Sequence, residues 1–327
     1  MKRKPLRDII FAVAALSTAA CGGGGGSSSP PPVTVTPPTP TPPTTSTCSL
    51  SARQTWAFNV LNEWYLFPET LPSSLSTSGY STIDAYVDAL TATARSQNRD
   101  RYFTYVTSIR EENAYYSSGS SAGFGFRLSV DGAARRAFIA ESFEGAPALA
   151  AGIDRGTEIL AIGTSASSLR SVSDIIASDG TGGVSAALGA STVGLTRVLR
   201  VTSGAGTRDV TISKTEYELT PVSSRYGALT LNDGGRKVGY INMRTFISTA
   251  DNALRNAFAN FRSQGVTDFI IDFRYNGGGL VSTAQLMSNL LGGNRTTSDV
   301  MFNQTFRTSK SVENETARFQ PEASSVS

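Results

Sequence analysis

The stretch Phe269-Ile270-Ile271-Asp272-Phe273-Arg274-Tyr275-Asn276-Gly277-Gly278-Gly279 joins an apolar, β-branched run to a polar pivot and three consecutive glycines. Thr267 to Phe273 is near-continuously apolar, the pattern of a parallel strand covered on both faces rather than of a half-exposed one. Glycine takes positive φ without steric cost and lets another backbone or a substrate come close. Three in a row after a strand can therefore turn amide N–H groups toward an anion or an oxyanion. From Leu280 to Leu291 the spacing is helical, with Leu280, Ala284, Met287 and Leu291 on one face and Gly292-Gly293 as the stop.

Upstream, Lys237 to Phe246 alternates as a strand, and Leu254, Phe258 and Phe261 form the inner face of a helix that closes at Gly265. These segments make a βαβ unit with parallel strands and a right-handed crossover. The glycine loop then lies at the carboxyl end of its strand, where open α/β sheets bind ligands.

The segments Val238-Gly239-Tyr240-Ile241-Asn242-Met243-Arg244-Thr245-Phe246 and Asp272-Phe273-Arg274-Tyr275-Asn276-Gly277-Gly278-Gly279, so spaced, resemble the C-terminal processing (tail-specific) serine peptidases, whose core carries an Asp-x-Arg-x-Asn-Gly-Gly-Gly loop. The resemblance implies that the backbone amides of Gly277 and Gly278 form part of an oxyanion hole. Asn276 would shape the turn and Gly279 complete it, and Asp272 and Arg274 would anchor it as structural residues. In that family a nucleophilic serine follows in a Ser-Ala-Ser-Glu type motif, with a general-base lysine after it. Neither motif occurs in these 327 residues. Ser324 and Ser325 are read as exposed tail residues and Lys310 as a surface lysine. The absence of histidine excludes a Ser-His-acid triad within the chain.

With 39% hydrophobic residues and a net charge of +3, the chain has a globular composition without the basic excess of a nucleic-acid binder. The fold class expected is multi-domain α+β: an N-terminal helical domain, a PDZ-like β-rich domain and a partial α/β peptidase core. Residues 1–20 are basic (Lys2, Arg3, Lys4, Arg7), then apolar from Ile9, then small, as in a secretory signal too short to remain as a membrane span. Thr18-Ala19-Ala20-Cys21 resembles a bacterial lipobox, which would make Cys21 the lipid-bearing first residue; ordinary cleavage after an Ala-x-Ala-like site is the alternative. No Asp follows Cys21, which points to the outer membrane, with the folded part facing the periplasm or cell surface. Residues 21–50 read as a Gly/Ser then Pro/Thr-rich tether. Cys48 is either an odd thiol missing a partner or a single tolerated one.

Residues 51–118 show helical spacing, with Trp56, Val60, Leu61 and Trp64 on one face and Ile83, Val87 and Leu90 on another. This resembles the N-terminal helical domain of the same peptidases. Residues 119–214 turn β-rich, with strands expected at 136–141, 158–162, 196–202 and 208–214 and short helices at 146–151 and 172–178. This layout resembles a PDZ domain. Gly123-Phe124-Gly125-Phe126 would be its carboxylate-binding loop, in which small glycines free amides for a peptide's terminal carboxylate and Phe124 and Phe126 flank the pocket.

Residues 215–327 form the partial core, with a further strand around 300–306. The chain thus reads as the N-terminal portion of an exported, lipid-anchored serine endopeptidase whose partners are unfolded or C-terminally exposed proteins. The alternative is a non-catalytic PDZ lipoprotein that binds C-terminal peptides. No cofactor is expected, and no metal site, since there is neither histidine nor a cysteine pair at ligand spacing.

Overall fold

The computed structural model describes residues 49–326. The signal-like segment, Cys21, most of the tether and Cys48 lie outside the described residues. Everything described falls in one compact unit, Thr47–Ser327.

Three helices come first: α1 (Leu50–Trp64), α2 (Ile83–Ser96) and α3 (Ile109–Ser118). Each starts at a hydroxyl cap, with Ser49, Thr82 and Ser108 accepting from a backbone N–H of the first turn. In α2 the expected face is the buried one at Val87 and Leu90. In α1 the buried residues are Gln54 and Ala57, while Trp56 is exposed. Gln54 donates through Nε2 to the carbonyl of Tyr80, so a polar side chain occupies the inner face because it finds a partner there.

The next module is bracketed by a two-stranded ribbon of β1 (Ser120–Gly123) with β8 (Thr215–Glu218). Between them, β2 (Phe126–Asp131), β3 (Arg136–Ser142), β4 (Glu158–Gly163), β6 (Thr196–Ser203) and β7 (Gly206–Ser213) form an antiparallel sheet in that order, and β5 (Arg170–Ser171) pairs with β4. The inner residues Ile139, Ile159, Leu199 and Val201 pack under α4 (Pro147–Ala150), α5 (Val172–Asp179) and α6 (Gly182–Leu188). Strand β2 ends the sheet, so one of its edges carries no strand partner.

The third module has β9 (Ala228–Asp233) antiparallel to β10 (Arg236–Asn242), which is parallel to β11 (Asp268–Asp272); α7 (Ala250–Ser263) makes the crossover. Leu254, Phe258 and Phe261 of α7 are completely buried against Ile241, as the spacing predicts. After the glycine loop, α8 (Val281–Leu291) buries Thr283, Leu286, Met287 and Leu290, a face rotated from the expected one and leaving Leu291 exposed. Thr283 donating to Asp251 of α7, together with the larger Leu286 and Leu290 in the core, settles that orientation.

Two further expectations about burial fail. Strand β11 is an edge strand with helices packed on one face only, so Ile270 on the other face is 50% exposed. A pattern of consecutive apolar residues therefore did not signal burial on both sides here. Ser325 is not an exposed tail residue: it is 3% exposed, donates to the carbonyl of Asn289 at 2.8 Å, and precedes Val326, which packs into the core cluster. The hydrophobic contact of Val326 draws the tail inward, and Ser325 gains a partner there. Strand β12 (Val300–Gln304) pairs with β13 (Glu315–Arg318).

Candidate functional site

The loop after β11 is held from three sides. Asp272 accepts from the backbone N–H of Arg274 (3.0 Å), from its Nη2 (2.6 Å) and from the hydroxyl of Tyr240 (2.7 Å). The Arg274 guanidinium outweighs the opposing effect of burial and holds the Asp272 carboxyl well below the usual carboxylate range. Tyr275 then adopts φ 67°, a left-handed conformation rare for a residue with a side chain. Asn276 spans the turn, donating through Nδ2 to the carbonyl of Met243 at 2.9 Å and accepting from the N–H of Gly278 at 2.7 Å.

The glycines differ in what they do. The Gly278 carbonyl accepts from the N–H of Phe246 (3.0 Å), and Gly279 forms a parallel bridge with Phe246. A Cβ on Gly279 would lie 2.2 Å from the Phe246 carbonyl oxygen, so no other residue fits. Gly278 has φ +109° but open space around it, and Gly277 has neither restriction. Of the two amides singled out in the sequence, that of Gly278 is engaged by Asn276, while that of Gly277 has no acceptor among the described residues.

A second locus lies at the start of β2. The carbonyls of Phe124 and Gly125 are tied inward by the N–H groups of Ala148 and Phe143, each at 2.9 Å. Among the described residues neither Phe124 nor Gly125 has an acceptor for its own backbone N–H. Gly125 sits at φ +79°, and a Cβ there would lie 2.0 Å from the Cβ of Ala146. The Phe124 and Phe126 rings stack at 5.8 Å, with Phe124 buried in the module's core.

Residues 237–324 match the model of Peptidase family S41. The resemblance carried by the loop is thus shown. Carboxyl-terminal-processing peptidase 3 of Arabidopsis thaliana, a chloroplastic protein, is 29% identical over 186 residues, covering 55% of this chain and 34% of its own length. The chloroplastic C-terminal processing peptidase of Tetradesmus obliquus is 28% identical over 185 residues, covering 54% of this chain and 38% of its own. The chain thus spans about a third of the length of the curated relatives it matches. A crystal structure of a putative S41 protease from Bacteroides fragilis superposes with a TM-score of 0.53 at 20% identity, covering 83% of this chain and 68% of that one, and so shares the fold.

Sequence reasoning missed the junction between the second and third modules. Arg244, 1% exposed, donates to Glu141 (2.7 Å), to the hydroxyl of Ser223 (3.0 Å), to the carbonyl of Thr220 (3.1 Å) and to Glu144. Burial would raise the Glu144 carboxyl, but hydrogen bonding to Arg244 prevails and holds it at about 2. An arginine inside the apolar run Tyr240 to Phe246 was the available signal, since a buried charge needs a partner. Lys310 pairs with Glu63 and lies 4.0 Å from the centre of the Trp64 ring, away from the glycine loop's hydrogen bonds. Among the described residues no cluster of acidic, cysteine or histidine side chains could hold a metal ion, and no helix is long and apolar enough to cross a membrane.

Proposed function

We propose that the chain is the tail-recognising and oxyanion-holding portion of a serine endopeptidase of the C-terminal processing type. The observation that carries this reading is the Asp272–Gly279 loop in a segment matching family S41: it is pinned at the carboxyl end of β11, and its Gly277 N–H has no acceptor among the described residues. An acyl-transfer transition state needs such a donor where negative charge develops on the carbonyl oxygen. Gly277 and Gly278 are assigned that role, with Asn276 releasing or sharing the Gly278 amide as the oxyanion forms. Asp272, Arg274 and Gly279 keep the loop's shape. The 327 residues hold no Ser-Ala-Ser-Glu type motif and no histidine, and we assign the chain no cleavage of its own.

Residues 119–214 act as the PDZ-like tail receptor in this reading. The unpaired amides at Phe124 and Gly125 receive a terminal carboxylate, and the open edge of β2 adds the peptide as a further strand. The helical domain, 51–118, and the core, 215–327, complete the division. Cys21 is assigned a lipid that holds the exported protein at the outer membrane.

Calorimetry with four-residue peptides as free acids and as C-terminal amides tests the receptor. The acid should bind at least tenfold more tightly, and equal affinity would remove the assignment. Incubation of the purified chain with an unstructured protein should leave it intact; serine-inhibitor-sensitive cleavage would overturn the oxyanion-portion reading. A Cys21→Ser variant should move from the membrane to the soluble fraction.

A further inference from the structure

Close packing does not confine the middle of the glycine loop. A Cβ at Gly277 or Gly278 would meet nothing within 4 Å, so the loop's shape there depends on hydrogen bonds. Asn276 supplies one, accepting from the Gly278 N–H. Two more converge on the Gly278 carbonyl, from the Phe246 N–H at 3.0 Å and from the Thr245 hydroxyl at 3.3 Å. Of these the Thr245 hydroxyl is the adjustable member, because a side-chain oxygen can turn among rotamers and a backbone N–H cannot.

What aims that hydroxyl comes from the helical domain. Thr245 is 4% exposed, and its Oγ1 lies 3.0 Å from the hydroxyl of Tyr115 on α3. Thr245 has one hydroxyl proton and the Gly278 carbonyl can only accept, so the arrangement that satisfies both contacts has Tyr115 donating to Thr245 and Thr245 to Gly278. Each bond in such a chain polarises the next. Tyr115 is itself held in place. Its ring packs against the cluster of Phe143, Ala146 and Leu219. Ser248, three residues after Thr245, donates its N–H (3.1 Å) and its hydroxyl (2.9 Å) to the carbonyl of Tyr116, satisfying a group that the end of a helix leaves open. Gly119, at φ +71°, closes α3 at that point.

We propose that Tyr115 is a positioning residue for the glycine loop: through the Thr245 hydroxyl it fixes the plane of the Gly278–Gly279 peptide group and, with it, the direction of the adjoining amides. In a trans peptide the Gly279 N–H points opposite to the Gly278 carbonyl. Holding that carbonyl toward Thr245 and Phe246 therefore turns the N–H away from both, and it has no acceptor among the described residues. The inference rests on the preceding reading only in giving the loop a catalytic purpose. It gives the helical domain a part in shaping the site, beyond packing.

Tyr115→Phe deletes one oxygen and keeps the ring in its cluster. In nitrogen–proton NMR spectra of the 327-residue protein it should displace the Gly278 and Gly279 amide resonances. Hydrogen exchange of the Phe246 amide, which shares the Gly278 carbonyl, should become about two- to tenfold faster. Thr245→Val should displace the same resonances in the same direction, and Thr245→Ser, which keeps the hydroxyl, should leave them near their parent positions. Tyr115→Phe added to Thr245→Val should move them no further, since the relay is already cut. Tyr116→Phe is the control for general loosening of α3: its ring lies 5.2 Å from that of Tyr115, and its hydroxyl makes no hydrogen bond among the described residues. That variant should leave the loop resonances in place. Resonances unmoved by Tyr115→Phe, moved as far by Tyr116→Phe, or displaced additively in the double variant would overturn the proposal. Should Thr245→Val fail to fold, the comparison of Tyr115→Phe with Tyr116→Phe still decides. Failure of the oxyanion-portion reading appears in the cleavage assay and failure of the relay in these resonances, so the two are told apart.

Discussion

Three identical letters, Gly277, Gly278 and Gly279, occupy positions with different physical demands, and substitution by alanine separates them. Gly279→Ala meets a carbonyl oxygen at 2.2 Å and a φ of +139°, so a loss of at least about 3 kcal/mol in urea unfolding is expected. Gly278→Ala has room but keeps a φ of +109°, which costs about 1–2 kcal/mol. Gly277→Ala should stay within about 0.5 kcal/mol of the parent, since neither restriction applies. Equal losses at all three would mean that the loop does not pair with Phe246. The run of glycines was legible as a turn, and the resemblance made it a candidate site. The division of labour was not legible, because it depends on Phe246, whose carbonyl comes against Gly279 only once β10 and β11 pair.

At the scale of elements, periodicity served where an amphipathic face is strong and failed where polar groups or edges intervene. Leu254, Phe258 and Phe261 were readable as an inner face because the other buried residues of α7, Ala250 and Ala257, fall on that same face. On α1 the buried Gln54 breaks the apolar rule, and on β11 the exposed Ile270 breaks it in the other direction. Strand β9 and helix α6 went unread: Ala228 to Asp233 is an edge whose Leu229 and Leu231 lie on the open face, and Gly182-Gly183 disguises a helix start. The Gly123–Phe126 loop, proposed above as the tail receptor, has a geometry that yields a sharp expectation. Gly125→Ala would place a methyl group 2.0 Å from the Ala146 Cβ at φ +79°, so the loop must move and the two unpaired amides with it. Free-acid tetrapeptide binding should fall by more than tenfold in calorimetry, whereas Gly145→Ala, at φ +74° in open space on the separate turn between β3 and α4, should spare it. Comparable binding losses in both would mean that general destabilisation, not the loop, governs recognition.

At the scale of the whole molecule, the buried Arg244 ties the sheet of the second module to the S41 segment, so its charge state couples the two. The Glu144 carboxyl titrates at about 2 in the folded protein against an ordinary 4.5. A depressed folded value means that the contribution is complete above the unfolded pKa and is lost as pH falls from about 4.5 toward 2, with roughly 3 kcal/mol at stake. Arg244→Met leaves the buried Glu141 and the half-buried Glu144 without the guanidinium between them, with Arg127 Nε, 3.6 Å from Glu141, as the nearest remaining cation, at a cost of about 3–5 kcal/mol at pH 7. In that variant Glu144 no longer gains from ionisation, so acid should relieve it: the stability gap to the parent should narrow steadily below pH ~4.5. Urea midpoints of both proteins from pH 7 to pH 2.5 measure this. A gap that stays constant over that range would mean that Arg244 contributes by packing its methylenes against the Phe143 ring, 5.4 Å from its guanidinium carbon, and not by holding the two modules together through charge.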